Sequence, residues 1–213
     1  MRKRSVAMAS AGFIVLAAAG CSGEPAGESM SNSPSSVPNF PVQTSNRTGL
    51  PHSGAPSVMD PLPETVLSGH PCEVLTPQQV REILGPGASE GRRSDLEEVG
   101  PGCDWGNPES FGGFRIGFSV VSREGLSAQY ANTKPQVEVF RESVVVEGFP
   151  AVAYKVSEED RVCTVAVGIA DEYSVVTTVG LSIEKEDAGV DSCVPAEQVA
   201  EIVVGNLKAK AGR

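Results

Sequence analysis

An odd number of cysteines constrains this chain more than any other feature. Cys21 stands alone near the start, while Cys72, Cys103, Cys163 and Cys193 are spread through the remainder. No pair has C-x-x-C spacing and no histidine lies between Cys72 and Cys193, so neither a metal site nor a redox pair is indicated. In an exported chain, four such cysteines are disulfide partners, and the fifth needs a separate explanation.

The first twenty residues indicate export. Arg2, Lys3 and Arg4 give a positive start, and Val6 to Ala19 is almost wholly apolar or small, the layout of a secretory signal. A membrane-spanning helix takes about 20 apolar residues, and this run is shorter, ending at Gly20-Cys21-Ser22-Gly23. Ala18-Ala19-Gly20-Cys21 resembles a bacterial lipobox, in which the cysteine receives a diacylglyceryl group and becomes the mature N-terminus. Ala18 stands where leucine is usual. The alternative is cleavage after Ala17-Ala18-Ala19, an A-x-A site that releases a soluble protein. Lipidation of Cys21 removes the odd count and is the expectation. It makes the membrane a partner through an N-terminal lipid anchor, on the extracytoplasmic face of the cell membrane. One acyl chain binds a bilayer only marginally; the lipoprotein modification supplies at least two.

Without residues 1–20 the chain carries 14 basic and 27 acidic residues, a net charge of −13. Such a surface repels phosphate backbones and anionic headgroups, so no nucleic-acid partner is expected. Residues 21–66 are expected to be a lipidated N-terminus and flexible stalk. Positions 22–66 hold 8 Pro, 9 Ser and 4 Gly, and such a segment buries too little surface to offset the entropy of ordering it. Both histidines, His52 and His70, fall in or beside this stalk.

Residues 67–213 are expected to form the globular domain. Thr76-Pro77-Gln78-Gln79 is a helix start with a capping box; Val80, Ile83 and Leu84 share a face, and Gly85-Pro86-Gly87 ends the helix. Residues 88–101 read as a loop. Cys103 to Trp105 and Phe114 to Val121 read as strands, the latter with Phe114, Ile116, Phe118 and Val120 on one face. A short helix over Glu124 to Thr133 precedes strands at Val137 to Phe140, Ala151 to Val156, Val162 to Ile169 and Ser174 to Leu181. Turns are expected at 148–150, 158–160 and 171–172. Pro195 opens a final helix with Val199, Ile202, Val203 and Leu207 on its apolar face. The predicted class is α+β, a twisted antiparallel sheet with N- and C-terminal helices packed on one face and two disulfides.

Four cysteines allow three connectivities; pairing within each half, Cys72–Cys103 and Cys163–Cys193, is favoured. Trp105, two residues beyond Cys103, is expected to pack beside the disulfide rather than stack on a ligand. Pro71-Cys72-Glu73-Val74-Leu75-Thr76-Pro77, Cys103-Asp104-Trp105, Cys163 in a valine-rich strand and Cys193 before a terminal helix resemble an actinobacterial lipoprotein family. It is known as domain-of-unknown-function family 3558, and the resemblance covers about residues 68–208. It implies an envelope lipoprotein without an established activity, and it brings no catalytic residues.

The residues themselves do not indicate an enzyme. A Ser-His-Asp or Cys-His site needs a histidine held by the fold, and only His70 lies near the expected domain. Glu158-Glu159-Asp160 and Asp171-Glu172 sit in turns, where solvated charge is the rule. No cofactor or metal is expected. The leading reading is a non-catalytic module that binds an envelope protein or a cell-wall component, or assists a membrane machine. The runner-up is a carrier or sensor of a small apolar ligand held between sheet and helices.

Overall fold

The computed structural model describes residues 49–213. Seven strands alternate with turns and helices along the chain: β1 (Arg92–Arg93), β2 (Gly102–Asn107), β3 (Gly112–Ser119), β4 (Val139–Val146), β5 (Phe149–Lys155), β6 (Val162–Gly168) and β7 (Ser174–Gly180). They form one antiparallel sheet in the order β1-β2-β3-β7-β6-β5-β4. The helices are α1 (Pro77–Leu84), α2 (Leu126–Ala128), α3 (Ile183–Asp187) and α4 (Cys193–Lys210). This is the expected α+β class.

Period-2 alternation gives the sheet its main buried face. Trp105 pairs with Phe114 and Cys103 with Ile116 across β2 and β3. Cys163, Val165 and Val167 of β6 and Val175 and Val179 of β7 join the same core. The long helix α4 covers this face with Val199, Val203, Val204 and Leu207, and Ala196 and Ala200 allow close approach. The contact is filled rather than hollow, since Val165, Val167, Val175, Val199 and Val203 are all buried. Helix α1 adds Val80 to the same core. Its capping box is present: Gln79 N–H donates to Thr76 Oγ1, and Thr76 N–H donates to Gln79 Oε1.

The connection from β3 to β4 must cross three intervening strands to reach the far edge. It does so over the opposite face, as α2 followed by a π turn at Gln129–Thr133 and a 3-10 turn at Lys134–Gln136. Leu126 and Tyr130 pack there on Val152 and Ala166, with Phe140 and Tyr154 alongside. Thus α1 and α4 share one face as expected, and the short middle helix takes the other.

Several boundaries differ from the expectation. The strand predicted to end at Phe140 runs to Val146. Its middle, Arg141-Glu142-Ser143, is polar because β4 is an edge strand, and a register shift between Arg141 and Val144 breaks the alternation. The turn after it is Glu147-Gly148, both at positive φ, the two-residue hairpin geometry; Phe149 and Pro150 already belong to β5. Arg92–Arg93 adds a short strand inside the expected loop, and α4 starts at Cys193 rather than Pro195.

The expected stalk over 21–66 also needs correction. Residues 21–48 lie outside the described residues, but residues 49–66 are packed on the domain. Leu62 and Val66 are buried. Leu62 N–H donates to Ile169 O at 2.8 Å, Tyr173 Oη donates to Leu62 O at 3.1 Å, and Val58 N–H donates to Asp171 Oδ1 at 2.8 Å. Average composition hid these anchors. Ala55, Val58, Leu62 and Val66 are few but regularly spaced, and the intervening prolines lower the entropy lost when the segment is fixed.

Candidate functional site

Each expected disulfide is present. Cys72 and Cys103 are joined with Cα atoms 5.2 Å apart, and Cys163 and Cys193 with Cα atoms 4.9 Å apart. The first ties a 3-10 turn at Pro71–Val74 to β2; the second ties β6 to the first residue of α4. Trp105 is buried, stacked on Phe114 with ring centroids 5.0 Å apart. A Cβ at Gly91 would stand 2.6 Å from Trp105 Nε1 and 2.9 Å from Cys103 Sγ. Trp105 therefore packs beside the bridge, as expected. Cys21 lies outside the described residues.

His52 is held by the domain, contrary to its placement in a loose stalk. Its backbone N–H donates to Ser127 Oγ at 2.9 Å. The ring Nδ1 lies 3.0 Å from Ser53 Oγ, and Nε2 lies 3.7 Å from Glu124 Oε1. This superficially resembles a triad. The Glu124 contact is longer than a hydrogen bond, the serine is the adjacent residue in an exposed turn, and none of the three lines any of the five best-formed recesses among the described residues. His70 only accepts a 3.4 Å contact from Cys72 N–H on its own turn.

A strongly charged recess lies at the end of the sheet where the β5–β6 turn, α3 and the start of α4 meet. It encloses about 440 Å³ and is lined by five carboxylates, Glu158, Glu159, Asp160, Glu186 and Asp191, against two cations, Lys155 and Arg161. Lys155 ends β5 in phase with buried Ala151 and Ala153, so the pleat turns its side chain inward; that side chain is only 4% exposed. Its ammonium donates to Glu158 O at 2.5 Å and lies 3.4 Å from Asp191 Oδ1.

Asp191 is the hub of this end. Its Oδ2 takes a hydrogen bond from Arg141 Nη2 at 2.6 Å, and its Oδ1 accepts from Cys193 N–H at 3.0 Å. One carboxylate thus holds β4, β5 and the start of α4 together, beside the Cys163–Cys193 bridge. Burial opposes its charge, but the Arg141 hydrogen bond, the Cys193 N–H and the charges of Arg141 and Lys155 outweigh that and hold its pKa down at about 2. Ser192 Oγ donates to Asp160 O at 2.8 Å. Arg161 spans the other side: its Nη2 donates to Phe111 O at 3.2 Å and to Leu181 O, and its Nε lies 3.2 Å from Glu186.

Both cations are committed to protein partners, whereas Glu158 and Glu159 extend into solvent, Glu158 with 71% of its side chain exposed. Chemically the recess can receive a positively charged group. Among the described residues, no three His, Cys, Asp or Glu side chains converge as a metal site. Sequence reasoning does not single out Lys155 or Asp191. The signal was a lysine at an inward position of the alternation Ala151-x-Ala153-x-Lys155.

A family model described as a protein of unknown function, DUF3558, matches residues 16–206, which include all seven strands and both disulfides. The chain belongs to the DUF3558 family. No curated protein and no solved structure matches this DUF3558 chain. Membership therefore brings a domain type and no activity. No helix among the described residues is long and apolar enough to cross a membrane.

Proposed function

We propose that this DUF3558 protein is a cell-envelope lipoprotein, held to the outer face of the membrane by a lipid on Cys21, whose domain is a non-catalytic binding or accessory module. The observation that carries the reading is the cysteine pairing. All four domain cysteines pair within the chain, so Cys21, at the end of a signal-like segment, is the one cysteine left over. Disulfides of this kind persist outside the reducing cytoplasm, which agrees with export. The filled contact between the sheet and α4 favours a surface-binding module over a carrier with an internal apolar ligand. Metabolic labelling with an alkyne palmitate tests the anchor. The label is expected in the wild type and lost in Cys21→Ser, with the variant released from the membrane fraction. Equal labelling of both would overturn the anchor.

A further inference from the structure

We infer that the end of the sheet bearing the acidic recess is a docking surface for a partner protein segment that carries lysine or arginine beside apolar side chains. The inference specifies the partner of the binding module proposed above and rests on that reading. Ten large apolar side chains are exposed among the described residues, and six belong to this end: Phe111, Val156, Val162, Ile183, Val190 and Val194. They come from the β2–β3 turn, the β5–β6 connection, the first residue of β6, the first residue of α3, the α3–α4 connection and the first turn of α4, which the register places at the same end of the sheet. Val162 pairs with Gly180, and Gly180 with Gly113. Ile183 N–H donates to Ser110 O at 3.1 Å, Arg161 holds Phe111 O, and Val190 lines the recess itself. The other four, Met59, Leu96, Val121 and Val145, belong to other parts of the fold. Exposed apolar side chains concentrated at one end of a fold, beside a charged recess, point to an interaction site, whereas single scattered ones need no explanation.

Phe111 sharpens the argument. It is 67% exposed at φ 57°, a left-handed backbone that disfavours bulky side chains. The last residue of this hairpin loop is a place for glycine, yet an aromatic ring is held out into water there. Strain of this kind motivates a functional hypothesis when the outlier is observed first. Charge then selects the occupant. The recess has three more carboxylates than cations, and its cations are already paired, so polyanions and anionic lipid surfaces are repelled and a cationic side chain is drawn in. An acidic hollow with exposed apolar side chains at the same end of the sheet fits a segment with a basic residue flanked by apolar ones.

The test uses the full chain with p-benzoylphenylalanine in place of Phe111, or of Met59 at the control position, and two capped synthetic peptides, Lys-Lys-Phe-Leu-Lys-Lys and Lys-Lys-Ser-Ser-Lys-Lys. Photo-crosslinking to the first peptide is expected at position 111 and not at 59. The yield should fall about tenfold in the Glu158→Gln/Glu159→Gln variant and should be unchanged in Glu97→Gln/Glu98→Gln, which removes equal charge elsewhere. Equal yields at 111 and 59, equal yields with both peptides, or equal loss in both charge variants would overturn the docking surface. None of those results bears on palmitate labelling, so the anchor and the docking surface fail separately.

Discussion

Asp191 binds Arg141, Lys155 and the Cys193 N–H, and so ties β4, β5 and the start of α4 together at its end of the sheet. Its folded pKa of about 2 lies below the ordinary value of 3.8, so the charged form favours the folded state. The stabilisation is complete above pH 4–5 and disappears as pH falls from about 4 through 2, where the native carboxylate protonates. With 36% of the side chain exposed, solvent screening reduces the effect to about 1 kcal/mol. Asp191→Asn keeps an acceptor for Cys193 N–H and removes the charge. The expected outcome is a lower urea midpoint than wild type at pH 7, with the two midpoints converging as the pH is lowered toward 2. A gap that stays constant between pH 7 and pH 2 would contradict the assignment. This residue shows where sequence reasoning stops. Asp191 stands in a polar stretch and has no local pattern. Its charged partners, Arg141 and Lys155, are 50 and 36 positions away, so only the folded register reveals the cluster.

At the scale of elements, the disulfides anchor what the sheet cannot hold through its ladder alone. The Cys72–Cys103 bridge fixes the turn before α1, a helix of only eight residues that is too short to persist by propensity. The Cys163–Cys193 bridge fixes the start of α4 from within the core, where both cysteines are fully buried. Each closes a loop of about 30 residues, worth roughly 3–4 kcal/mol in the chain-entropy model, against about 5–15 kcal/mol for a whole domain. Replacing Cys163 and Cys193 together by alanine is expected to cost more than the same change at Cys72 and Cys103, because it also removes packed core volume. Guanidinium denaturation of the two double variants checks the order, and a reversed order would show that the N-terminal bridge carries the larger share. The favoured disulfide pairing is the one formed, although the sequence alone left three connectivities open. Six of the seven strands were legible in the sequence, because alternation is a local signal. The two-residue strand β1 was not, since it exists only through pairing with β2. Nor was the run of β4 past Phe140, where an edge position and a bulge remove the alternation.

The boundary of the whole domain is set by residues that composition assigned to a stalk. Leu62 and Val66 each bury a side chain worth roughly 1.5–3 kcal/mol, and Asp60 pairs with Arg213 at the C-terminus at 3.0 Å. A chain beginning at residue 67 is therefore expected to be less stable than one beginning at residue 49, by about 3–5 kcal/mol. Calorimetry on the two proteins decides this, and equal midpoints would restore the boundary at residue 66. The placement of the bridges also governs how the domain responds to force. Tension applied between residue 49 and the C-terminus first meets the segment hydrogen-bonded at Val58 and Leu62. It then passes directly from Cys72 to Cys103 and from Cys163 to Cys193. The bypassed lengths, 31 and 30 residue steps, together take roughly 200 Å of extension out of reach at about 3.3–3.6 Å per residue. However hard its N-terminal end is pulled, α1 and its cap stay slack inside a closed loop, and the peptide backbone of that loop bears no load while the sulfur–sulfur bond holds.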